Sequence, residues 1–305
     1  MRSSTLPRKT TSSCVKLRMD SVSSYINLMK KHSRKLLPLS AGVTSGGMLK
    51  GKVDAVLFDI YGTLFVSSSG DIEEAREKVK KKRLEELLRR YGVSLKPGEV
   101  QRRYFGEIEK VHERLKEEGV DVPEVEIDSV WMRVLEFDDP HRSRMFSCEY
   151  EMLFNPVWPM PYLETLLRRV RDSGRVMGMV SNAQFFTPLL FELFLGASIP
   201  ALGFHPSITI LSFQHGRAKP SLVLFEMARR ALEEMGVGGE SVLYVGNDML
   251  NDIYPAHLAG FQTALFAGDR RSLRLREDDE RCRRLSPELV VTNLEELTEH
   301  IISCR

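Results

Sequence analysis

Val56-Leu57-Phe58-Asp59-Ile60-Tyr61-Gly62-Thr63-Leu64 is the stretch on which the fold turns. The apolar run that leads into it from Val53 and ends at Phe58 reads as a fully buried strand. It stops at a carboxylate, and Gly62-Thr63 follows at once. In α/β sheets, chemistry collects beyond the carboxyl ends of parallel strands. A carboxylate held there is placed to act as a nucleophile on phosphorus or carbon.

Three further segments extend this reading. Val176 to Val180 is a second apolar run, ending at Ser181-Asn182, where a hydroxyl can donate to an oxygen of a transferring group. Gly216-Arg217-Ala218-Lys219-Pro220-Ser221 precedes a helical pattern of Leu222, Phe225, Ala228, Leu232 and Met235. Lys219 offers a fixed positive charge at that helix entry, where Pro220 costs no hydrogen bond. Leu243 to Gly246 is a third apolar strand, followed by Asn247 and by two carboxylates four residues apart, Asp248 and Asp252. With Asp59 they offer oxygen ligands for a hard cation such as Mg²⁺. Each segment alone has a bland counterpart: a turn, a helix cap or a solvated lysine.

In this order and spacing the four segments resemble the motifs of the haloacid dehalogenase (HAD) superfamily, over roughly residues 53 to 300. The resemblance implies a Rossmann-like α/β fold with a parallel sheet and a helical cap inserted after the first strand. It also implies roles: Asp59 as nucleophile, Ser181 as an oxygen ligand, Lys219 as charge stabiliser, and Asp248 and Asp252 as metal-side acids. Tyr61, Thr63 and Asn182 complete the expected catalytic set. Many relatives carry an acid directly after the motif glycine, where this chain has Asn247.

Tyr61 divides the functional reading. The common phosphatase form has a second Asp there, which protonates the leaving group. A phenol with a pKa near 10 is a poor substitute, and losing a general acid–base group costs about 10² to 10⁴ in rate. The Asp-x-Tyr-Gly-Thr form resembles metal-independent 2-haloacid dehalogenases, from which halide departs without a proton. Two features point the other way. A spare buried carboxylate beside a nucleophilic Asp calls for a compensating cation. In addition, Phe225 stands where dehalogenases carry a Tyr, six residues after the lysine. The leading expectation is a Mg²⁺-dependent phosphatase acting on a small, anionic phosphorylated metabolite. The alternatives are a metal-independent dehalogenase-like hydrolase and a non-catalytic binding protein of the same fold.

Strands are expected at Val53–Asp59, Arg175–Ser181, Ile208–Phe213, Ser241–Gly246, Gln262–Phe266 and Leu289–Thr292, alternating with helices. Between Asp71 and Phe154 the pattern is helical and charged, with helices expected at Ile72–Tyr91, Val100–Glu118 and Val125–Phe137. The composition, 42% hydrophobic and 28% charged, suits a globular chain with a substantial core. Residues 1–52 hold 11 of the 44 Lys and Arg but one of the 42 acids, so the remainder carries a balance of −8. That acidic body argues against nucleic-acid binding. No apolar stretch suits a membrane span, and the four scattered cysteines suit neither a zinc site nor a disulfide framework. The expected division is a basic, Ser-rich, disordered tail over 1–47, an α/β core over 48–70 and 155–305, and a helical cap over 71–154. A cytoplasmic protein is expected, or an organellar one if the basic segment is a transit peptide.

Overall fold

The computed structural model describes residues 11–68 and 74–304. The first elements are helix α1 (Thr11–His32), the two-residue strand β1 (Gly46–Gly47), β2 (Ala55–Phe58) and β3 (Phe65–Ser67). Four helices follow: α2 (Glu74–Arg90), α3 (Pro97–Glu117), α4 (Ile127–Val134) and α5 (Pro140–Phe154). The chain returns through β4 (Val157–Pro159), α6 (Leu163–Asp172), β5 (Val176–Ser181), α7 (Thr187–Leu195) and β6 (Phe204–Leu211). It then runs through α8 (Leu222–Glu234), β7 (Val242–Gly246), a π-helical turn (Met249–Ile253) and α9 (Tyr254–Leu258). Strands β8 (Gln262–Phe266) and β9 (Leu289–Val291) and helix α10 (Leu294–Ser303) complete it.

The main sheet has the order β1-β9-β8-β7-β2-β5-β6, parallel throughout except for β1 on β9. This is the α/β fold with a mostly parallel sheet that the motifs imply. Successive residues of β2 face opposite sides: Val56 and Phe58 join one apolar cluster, Ala55 and Leu57 the other. A strand buried on both faces has no polar side to spare, which is why it reads as an unbroken apolar run. Its neighbours are β5 and β7, so the carboxyl ends of all three open at one sheet edge.

Helices α2 to α5 form the insertion between β3 and β4, with an apolar cluster of their own. Trp131 is its centre, stacked on Tyr104 at 4.5 Å and edge-on to Phe146 at 4.9 Å. Pairing of Ser67 with Val157 holds the two crossings between helices and sheet side by side. A second connection is made by the loop before α4. There Ala218 N–H donates to Val122 O at 2.8 Å, and Gln184 receives the Ile127 N–H at 3.0 Å. Helix α5 lies in the stretch read as helical but was not delimited there, because Ser143, Ser147 and Glu149 lie on its buried side. Its start was nonetheless signalled: Asp139 accepts the His141 N–H at 2.9 Å, and Pro140 opens the first turn. The expected helix start at Ile72 and the boundary at 70 and 71 lie outside the described residues. Among those described, no helix is long and apolar enough to cross a membrane.

The expectation of an undocked tail is corrected for residues 22–47. Tyr25 and Met29 are buried in the main core, with Val22 and Ile26 packed against it. These four positions form one helical stripe, short enough to be lost in a polar segment. Tyr25 meets Phe185 beside α7 edge-on at 6.0 Å and bonds His141 of α5 at 3.2 Å. His32 bonds Glu149 of α5 at 2.9 Å. Further on, Leu39 pairs with Asp269 and Arg270, and β1 adds to the sheet edge. The segment therefore straps the helical insertion to the α/β core.

Two outcomes follow from this packing. Burial of Tyr25 and Met29 is worth about 1.5–3 kcal/mol each, so deleting residues 1–47 lowers the melting temperature by roughly 5–10 °C; an unchanged melting curve contradicts the docking. Burial works to raise the pKa of Glu149, but bonds from His32, Arg90 and Tyr91 outweigh it and hold the carboxyl at about 2. Its stabilising contribution is present above the ordinary glutamate pKa and is lost as the pH falls toward about 2. Glu149→Gln therefore lowers stability at neutral pH and flattens the acid limb of melting temperature against pH, measured between roughly pH 5 and pH 2.

Candidate active site

Asp59 follows β2 directly and is fixed by its own backbone, whose N–H donates to Val245 O at 2.9 Å. Its Oδ1 accepts two hydrogen bonds, from Ser181 Oγ at 2.8 Å and from Lys219 Nζ at 2.6 Å. No donor among the described residues reaches Oδ2. One oxygen is thus anchored, and the other has no donor among the described residues.

Lys219 is 5% exposed. Beyond Asp59, its ammonium donates to Asp252 Oδ1 at 2.5 Å and to Tyr244 Oη at 3.3 Å. Burial opposes the charge, but the flanking Asp252 and Asp59 carboxylates hold the lysine pKa above its ordinary value. Asn182 sets the approach of this residue, its Oδ1 accepting the Lys219 backbone N–H at 2.7 Å. Asp252 Oδ2 accepts the backbone N–H groups of Asn247 and Asp248, both at 2.9 Å. Gly246 makes that approach possible: a Cβ there would stand 2.4 Å from Asp252 Cγ. Burial pushes the Asp252 carboxyl up, to about 6, against the pull of Lys219.

The other expected residues occupy the rim of this cluster. Thr63 Oγ1 donates to Asn247 Oδ1 at 3.2 Å, while Asn247 Nδ2 donates to Ser272 O at 2.6 Å. Gly62, at φ +83°, lies under this contact, and a Cβ there would meet Ser272 Cβ at 2.5 Å. Tyr61 points to α7, its hydroxyl 2.9 Å from Thr187 Oγ1. Burial, with a contribution from the nearby Glu151, raises its pKa further above the ordinary phenol value. The hydroxyl therefore stays protonated at neutral pH and is unavailable as a base there.

The structure brings Asp59, Ser181, Lys219 and Asp252 together but does not assemble the expected Mg²⁺ set of Asp59, Asp248 and Asp252. Asp248 caps the π-helical turn, accepting the Leu250 and Asn251 N–H groups at 2.9 and 3.2 Å. Arg276 grips the same carboxylate twice, at 3.0 and 2.6 Å. Its charge is thereby matched and its lone pairs are used. Asp252 is likewise saturated, and the Lys219 ammonium stands between it and Asp59 where a cation would bridge them. No group of three His, Cys, Asp or Glu side chains among the described residues is arranged to hold a metal ion. Of the three carboxylates Asp59, Asp248 and Asp252, only Asp59 has an oxygen, Oδ2, that no donor among the described residues reaches.

Sequence reasoning missed Tyr244, Arg276 and Ser272. Tyr244 sits inside an apolar strand and looks like core, and the other two lie far along the chain in the β8–β9 connection.

A family model described as haloacid dehalogenase-like hydrolase matches residues 53–260. No curated protein matches the chain. Among solved structures, a 2-haloacid dehalogenase from Pseudomonas syringae pv. Tomato DC3000 aligns with TM-score 0.53 and 18% identity, over 82% of this chain and 98% of that one. A HAD phosphatase from Thermococcus onnurineus aligns with TM-score 0.50 and 18% identity, over 83% and 99%. At that identity the likeness is one of fold, and the fold carries both chemistries. The match across most of the chain, with the motif residues gathered at one sheet edge, makes this protein a member of the haloacid dehalogenase-like hydrolases.

Proposed function

We propose that the protein is a metal-independent hydrolase in which Asp59 displaces a leaving group from carbon, with small 2-halocarboxylates as the substrate class. The observation that carries this reading is the Lys219 ammonium, 2.6 Å from Asp59 and 2.5 Å from Asp252. The two acids argued for a metal because a buried carboxylate beside the nucleophile needs a counter-charge. Lys219 supplies it for Asp252, and Arg276 supplies it for Asp248. Burial makes Tyr61 an even weaker acid than an ordinary phenol, so a leaving group that departs as a stable anion suits the site best.

In the first step Asp59 Oδ2 bonds to the substrate carbon, and the carbon–halogen bond breaks with both electrons leaving on halide. In the second, water adds to Cγ of the resulting ester. The negative charge that develops on Oδ1 is met by Ser181 and Lys219, a preformed oxyanion site. The Cγ–Oδ2 bond then breaks, and one proton of the water goes to the departing alkoxide and the other to solvent. The product is a 2-hydroxy acid.

The test is a panel of racemic 2-chloropropionate and p-nitrophenyl phosphate, each with EDTA and with added Mg²⁺. Halide release that EDTA leaves unchanged and Asp59→Asn abolishes is the expected result. Mg²⁺-dependent phosphate release without halide release would instead restore the phosphatase reading, and no turnover on either would favour a binding protein.

A further inference from the structure

We propose that Tyr244 is the positioning residue that locks the Lys219 ammonium, and through it Asp59, in the attacking geometry. The proposal deepens the reading of Asp59 as nucleophile and rests on it.

An ammonium has three N–H bonds. Those of Lys219 have three acceptors: Asp59 Oδ1 at 2.6 Å, Asp252 Oδ1 at 2.5 Å and Tyr244 Oη at 3.3 Å. The two carboxylates alone fix two directions and leave the third N–H buried without a partner, at the cost of its desolvation. Tyr244 completes the set. Its own hydroxyl proton goes to Val180 O at 2.8 Å, with Asp252 Oδ1 a second acceptor at 3.1 Å. Val180 is the residue before Ser181, the other donor to Asp59 Oδ1. One phenol thus ties the lysine on the α8 side to the strand that carries the serine.

The placement has a clear cause. Tyr244 faces the sheet side covered by α8, where Phe225 packs against its ring at 5.0 Å. Phe225 itself has no hydroxyl to offer the lysine. The hydroxyl beside Lys219 comes from β7 instead. Tyr244 is fully buried, and none of its hydroxyl contacts lies at the surface.

Tyr244→Phe keeps the ring and removes the contact. Two measurements decide the matter. In ¹⁵N-lysine-labelled protein without substrate, an ammonium with all three N–H groups bonded gives a slowly exchanging ¹⁵Nζ–¹H correlation, assigned by its loss in Lys219→Met. We expect that signal in the wild-type protein and at least roughly tenfold faster exchange in Tyr244→Phe, since a hydrogen bond to a charged group is lost. With racemic 2-chloropropionate, kcat falls about tenfold to a hundredfold while KM stays within about twofold, because the contact acts on the nucleophile and not on substrate binding. Absence of the slow signal from the wild-type protein overturns the proposal whether or not the variant folds. So does unchanged exchange or unchanged kcat in a variant that melts like wild type. The exchange measurement uses no substrate, so a failure of the halide assay counts against the proposed function alone.

Discussion

A single ammonium held between two buried carboxylates organises this molecule. Asp59 and Asp252 lie in a site where like charges cannot both ionise without compensation. Lys219 stands between them within hydrogen-bond distance of each. Even at an effective dielectric of about 20, attraction at such separations is on the order of several kcal/mol per pair. Removing the lysine would leave two uncompensated charges inside the sheet edge, so the interaction is structural as much as chemical. It requires β2, β7 and the entry to α8 to converge, and the strand order provides that: β2 lies between β5 and β7, and the loop carrying Lys219 returns across this edge.

The same cation reshapes the functional argument. Paired acids after a motif glycine suggest a metal when read as sequence, because sequence shows the negative charges and not their partners. In three dimensions one acid is neutralised by Lys219 and the other by Arg276. What is left is an Asp with two donors on one oxygen, none among the described residues on the other, and only a very weak acid at Tyr61. The proposed displacement of a group that leaves as an anion draws on that arrangement, since it calls for neither an acid nor a cation bridge. Around the site, the helical insertion is joined to the core at β3–β4, at the loop before α4, and by α1 lying against both α5 and α7.

Much of this was legible from the chain. The strand ends that carry Asp59 and Ser181 announce themselves, because fully buried strands read as unbroken apolar runs that stop at a polar residue. Lys219 could be placed because a proline and an amphipathic helix follow it. The pairing of Asp248 could not be read, since its partner Arg276 is 28 residues away in an irregular connection and nothing local marks the pair. Tyr244 was hidden for the opposite reason: inside a strand, a tyrosine resembles any other large core residue, and only its neighbours reveal what the hydroxyl does. The stripe of Val22, Tyr25, Ile26 and Met29 was present in the sequence but spans too few turns to stand out from the serines and lysines around it.

The most direct test of the account is the fate of oxygen in one turnover. With the protein in molar excess over 2-chloropropionate in H₂¹⁸O, attack by Asp59 Oδ2 transfers an enzyme oxygen to the product. The account predicts an unlabelled 2-hydroxy acid and ¹⁸O in the peptide containing Asp59, both read by mass spectrometry. Label in the product with none in that peptide would mean that water attacks the substrate directly, and would contradict Asp59 as the nucleophile.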